Sequence, residues 1–85
     1  MSEFKSIISY QTAEHGMVIV KLADMLRERG ITRNRLHILT GVKYDVIDRY
    51  YQGNNIERVD LDFLAKVCFA LNCDISDLLE YRLPE

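Results

Sequence analysis

The chain has 85 residues, of which 48% are hydrophobic and 28% charged, and its formal net charge is -2. That length fits one domain with a modest core. One Pro and four Gly argue against a turn-rich β protein, and a net negative chain has no bulk positive field of the kind that announces nucleic acid. The charge is uneven, however. Residues 31–58 carry Arg33, Arg35, Lys43, Arg49 and Arg58 against Asp45, Asp48 and Glu57, whereas residues 59–85 are acidic. Such asymmetry can mark one polyanion-facing side on an acidic protein, or simply an uneven surface on a short chain.

Residues 1–16 read as an N-terminal extension. Phe4, Ile7, Ile8 and Tyr10 follow no clean period, and the stretch QTAEHG is a loop ending at Gly16. In MVIVKL, Val18 and Val20 alternate among β-branched neighbours, which predicts a short strand. A lone strand leaves backbone groups unpaired, so residues 4–10 or a second subunit is the expected partner.

From Lys21 the pattern turns helical. Leu22, Met25 and Leu26 share a face, and Gly30 is a natural stop. Thr32 predicts the N-cap of a second helix with Leu36 and Leu39 on its apolar side, ended by Gly41. A third helix runs from about Lys43 to Gln52 with Val46, Ile47 and Tyr50 inward. Gly53 and the polar loop NNIER follow. Asp60 caps a fourth helix, whose stripe is Leu61, Leu64, Val67, Cys68 and Leu71. Asn72 takes the left-handed stop, and Asp74 caps a short last helix holding Ile75, Leu78 and Leu79. These elements predict an all-α fold: residues 17–85 as one compact five-helix orthogonal bundle, with a short strand at its start.

Little in the sequence points to catalysis. Cys68 and Cys73 lack metal or redox spacing and read as reduced near-core thiols of a cytoplasmic protein. His15 and His37 have no partner at metal spacing. Asp60 and Asp62 open a helix, where its dipole favours acids. No apolar run reaches bilayer length. The expectation is a non-enzyme without metal, cofactor, membrane contact or small-molecule ligand.

The stretch Thr32–Gly53, TRNRLHILTGVKYDVIDRYYQG, resembles the helix-turn-helix of Cro and phage-repressor regulators, the Xre-like family. Its matching skeleton is Leu36, Thr40-Gly41-Val42, Ile47 and Gly53. From Val18 to Tyr81 the order of motifs is similar to the small single-domain branch, and size and style also resemble regulators of glycopeptide-resistance gene clusters. The resemblance implies a λ-repressor-like fold, double-stranded DNA as partner, transcription regulation, and a homodimer on paired half-sites about one helical turn apart. It implies that the second helix of the pair enters the major groove and presents Lys43, Tyr44, Asp45, Asp48 and Arg49. Arg33, where the family usually has Gln, would hold phosphate, and Asn54, Asn55 and Arg58 would follow the backbone.

Three positions depart from the family pattern. His37 stands where a small residue lets the helices approach, so its ring should widen the packing or point outward. Lys43 replaces an N-capping Ser or Thr. Asp45 and Asp48 bring carboxylates to a face meant for phosphates; each reads either as a base contact or as a solvated helix-surface residue, with Asp45 also favoured by the helix N-terminus. The acidic total and these two residues keep a second reading open: a protein-interaction module on the same fold, binding another regulator or a toxin.

Overall fold

The structure, a computed structural model, describes residues 15–54 and 56–84. The extension's Phe4, Ile7, Ile8 and Tyr10 lie outside the described residues. Seven elements follow in order: β1 (Met17–Val20), α1 (Leu22–Arg29), α2 (Arg33–Thr40), α3 (Tyr44–Gln52), α4 (Leu61–Leu71), α5 (Ile75–Leu78) and β2 (Leu79–Arg82). The five expected helices are present, and so is the initial strand.

Side-chain chemistry sets the helix limits. Thr32 accepts from the Arg35 amide at 3.0 Å, and Asp60 accepts from the Asp62 amide at 3.1 Å. Each satisfies an amide that the first helical turn would otherwise leave unpaired. At α5, the Asp77 carboxylate reaches back to the Asp74 amide at 2.9 Å. Asn72 ends α4 in the left-handed region at φ 52°. That conformation crowds most side chains but is tolerated by Asn.

Among the described residues the partner of β1 is β2, which the sequence reading did not foresee: the two pair antiparallel with Met17 opposite Arg82 and Val20 opposite Leu79. Leu79 accordingly belongs to a strand rather than to the last helix. The chain enters the strand at Gly16, where φ is +77° and a Cβ would lie 2.3 Å from the Arg82 carbonyl oxygen. Only glycine has both the backbone freedom and the room. The Tyr81 hydroxyl donates to the His15 carbonyl at 2.9 Å and ties down the same corner.

The core joins Leu22, Met25 and Leu26 of α1 to Leu36, Ile47, Tyr50, Val67 and Leu78, all buried. Tyr50 stacks on Phe63, with ring centroids 4.5 Å apart. Two expected core positions move outward. Leu61 is 77% exposed, and Phe63 takes the buried place near the start of α4. Leu39 is also exposed. Because α4 is apolar at most of its positions, periodicity alone could not choose its inner face. Cys68 and Cys73 are free and half-buried. Burial, then the neighbouring Cys68, pushes the Cys73 thiol up to about 11, so it stays protonated at neutral pH.

Candidate nucleic-acid interface

The corner between α2 and α3 is fixed by local hydrogen bonds. Gly41 turns the chain at φ 75°, and its amide donates to the His37 carbonyl at 2.8 Å. Thr40 Oγ1 donates to the Leu36 carbonyl at 2.8 Å and accepts from the Val42 amide at 3.1 Å. His37 settles one departure noted above. Its ring turns back across the corner, with Nδ1 2.6 Å from the Val42 carbonyl oxygen. The carbonyl only accepts, so Nδ1 carries the proton. A residue that looked too large for its place instead satisfies a turn carbonyl.

Beyond this corner, α3 buries Ile47 and Tyr50 and half-buries Val46 and Tyr51, leaving the opposite side open. Lys43, Tyr44, Asp45 and Arg49 are all exposed. Gln52 is exposed too, and it lies seven residues after Asp45, two turns along the same face. Sequence reading left Gln52 out of the site; that seven-residue spacing was the available signal. An amide at this position can pair with an adenine edge.

The two carboxylates have different surroundings. Asp45 is exposed at the start of α3, and its Oδ1 accepts from the Val46 amide at 3.0 Å. Asp48 is half-buried and accepts a charge-assisted bond from Arg33 Nη1, with Gln52 Nε2 at 3.5 Å. The Arg33 guanidinium also lies over the Tyr51 ring, 4.4 Å from its centroid, and 5.9 Å from that of Tyr44. Arg33 is therefore a strut between α2 and α3, held on one side by a carboxylate and on another by a ring face. Asp48 is neutralised rather than bare.

Arg49 leans along the helix. Its Cζ is 4.7 Å from the Tyr50 ring centroid, and Nη2 donates to the Tyr50 hydroxyl at 3.3 Å. The same hydroxyl accepts from the Asp60 amide at 3.3 Å. This chain of contacts links Arg49 to the start of α4 at Asp60; Asn54 and Arg58, in the loop before it, are both exposed. Asn55 lies outside the described residues. Among the described residues, Lys43, Arg49 and Arg58 have no carboxylate within salt-bridge distance, in contrast to Arg33.

Lys43 occupies the N-cap of α3 and makes no side-chain capping bond. Lys43→Ser is expected to raise unfolding free energy by about 0.5–1 kcal/mol in urea titration by adding that bond. The same change removes a cation from the exposed face, so DNA affinity should fall while stability rises.

Two short helices joined through a left-handed glycine, the first braced and the second exposed, define a helix-turn-helix. Residues 21–83 match the model of the Cro/C1-type HTH DNA-binding domain, and the chain belongs to that family. A similar protein is the SPbeta prophage-derived uncharacterized HTH-type transcriptional regulator YopS of Bacillus subtilis (strain 168). It is 28% identical over 64 residues, covering 73% of this chain and 82% of that protein. A similar crystal structure is that of "a putative DNA-binding protein from Bacteroides fragilis", 26% identical, with a TM-score of 0.65 over 75% of this chain and all of that one. Neither description mentions glycopeptide resistance. Among the described residues, no helix is long and apolar enough to cross a membrane, and no group of three or more His, Cys, Asp or Glu could hold a metal ion.

Proposed function

We propose that this protein is a sequence-specific transcriptional regulator that binds double-stranded DNA as a homodimer in the cytoplasm, with α3 in the major groove. The observation that carries the proposal is the open side of α3. It follows a rigid corner, and its only half-buried carboxylate is already paired with Arg33. In this reading Lys43, Tyr44, Asp45, Arg49 and Gln52 face base edges or the groove wall. Asn54, Asn55 and Arg58 follow the phosphates. Arg33 sets the angle of α3 through Asp48 and is available to phosphate only when that pair opens. The protein has no enzymatic role in this account; its Cro/C1-type domain binds DNA.

The test is selection of bound fragments from genomic DNA, followed by titration of selected and random duplexes across salt. The expected result is a two-fold site with half-sites about one helical turn apart. Affinity should fall with salt along a slope of about -0.9 per phosphate contacted. The absence of any complex at low salt would overturn the reading and leave the protein-interaction module in its place.

A further inference from the structure

Among the described residues the sheet has two strands, so each has an edge without a neighbouring strand. Open edges of this kind are templates for another chain, and a two-stranded sheet alone is marginal. The direction of the backbone groups on β2 follows from one bond. The Lys21 amide donates to the Leu78 carbonyl at 2.7 Å, one step past the Val20–Leu79 pair in the same register. Hydrogen-bonded pairs recur at every second residue of an antiparallel ladder. Glu80 and Arg82 therefore bond inward to β1, and the backbone N–H and C=O of Tyr81 and Leu83 point to the outer edge. The Leu79 amide is already used by Ile75.

The side chains along that edge are self-complementary. Leu79-Glu80-Tyr81-Arg82-Leu83 reads the same in both directions apart from an exchange of charge sign. Tyr81 and Leu83 are 56% and 77% exposed. If a two-fold axis passes beside Tyr81, each Tyr81 exchanges both backbone bonds with its copy. Leu79 then faces Leu83 of the second chain on one face of the sheet, and Glu80 faces Arg82 on the other. Glu80 already accepts from Arg82 at 3.2 Å, with Lys21 at 3.8 Å within one chain. Pairing would give each carboxylate a second guanidinium.

We infer that a second copy of this chain docks on β2, antiparallel and centred on Tyr81, to make a four-stranded sheet that joins two helix-turn-helix units. This inference rests on the homodimer reading above and names the surface that carries it.

The test is sedimentation equilibrium of the full chain, without DNA, over a range of concentrations. Wild type should dimerise. Glu80→Arg and Arg82→Glu should each raise the dimer dissociation constant about tenfold, because two attractive cross-strand pairs become repulsive. The double swap Glu80→Arg/Arg82→Glu should return it to within about twofold of wild type. Far-UV circular dichroism checks that each variant is folded. Leu83→Asp, beyond the strand and outside the core, should weaken the dimer even where a charge swap disturbs the fold. Phe69→Glu, on an exposed part of α4, should change nothing. A monomer at every concentration, folded single swaps or Leu83→Asp without effect, a double swap that fails to restore, or a dimer broken by Phe69→Glu would each overturn the inference. Titration of a half-site duplex separates this from the DNA reading: a monomer that still binds DNA loses only the β2 interface.

Discussion

Tyr50→Ala is expected to cost the domain about 3–5 kcal/mol, a large part of what a chain this size can hold. Tyr50 is 2% exposed and stacks on Phe63. Its ring also joins α3 to α4, and no neighbouring side chain can refill so large a space. Tyr50→Phe keeps the ring and removes only the hydroxyl, which accepts from the Asp60 amide and from Arg49. That change should cost about 1 kcal/mol, the usual net value of one hydrogen bond. Urea denaturation of the two variants separates the contributions. Equal losses would mean that the hydroxyl bridge, rather than the ring, fastens α3 to α4.

The second large effect concerns binding. Arg49→Ala should weaken the preferred operator by about 1–3 kcal/mol and relax its sequence, if the guanidinium leaves Tyr50 for a guanine edge. Arg33→Ala should behave differently. In the free protein Arg33 is bound to Asp48 and lies over Tyr51. Both members of the pair are about one-third or more exposed, so solvent screening limits its stabilisation to about 0.5–1 kcal/mol. Arg33→Ala should therefore lower stability slightly, weaken all sequences alike and leave the salt slope nearly unchanged. Asp48→Asn should release Arg33, tighten binding to random duplex and steepen the slope by about 0.9. Adding Arg33→Ala to Asp48→Asn should cancel that gain. A salt slope that drops on Arg33→Ala alone would show that Arg33 already holds phosphate in the wild-type complex.

The sequence revealed those parts of the fold whose causes are local. Thr32 and Asp60 cap helices because their oxygens reach an amide two or three residues away. Gly41 and Asn72 sit at left-handed stops for reasons confined to one residue. The hidden parts depend on residues that meet only after folding. Leu79-Glu80-Tyr81-Arg82 fits a helix end as well as a strand until Met17–Val20 is placed beside it. Phe63 and Leu61 compete for the inside of an almost wholly apolar helix, and it is Phe63 that stacks on Tyr50 of α3 while Leu61 stays exposed. In the candidate site, the exposure of Lys43, Tyr44, Asp45 and Arg49 agreed with the expected outer face of α3, whereas Gln52 was left out of it and Asp48 is half-buried. The Arg33–Asp48 pair was not legible, because fifteen residues and the angle between two helices separate its members. The place of the His37 ring was hidden for a related reason: its size suggested wider packing or an outward ring, and the hydrogen bond to the Val42 carbonyl that holds it across the turn depends on the folded corner.

The pairing of β1 with β2 also bears on the order in which the domain assembles. The helices and the α2–α3 corner close over short loops, whereas His15 and Tyr81 meet across 66 residues of chain. The entropy lost in closing a loop grows with its length, and distant contacts reward that loss only once the intervening chain is compact. The recognition unit can therefore take shape early, and the seam between the two ends of the domain closes over a helical body already formed. The seam itself is thinly covered, with Met17, Val18 and Tyr81 each more than half exposed, so a local opening there would leave the buried contacts of Ile47 and Tyr50 on α3 intact.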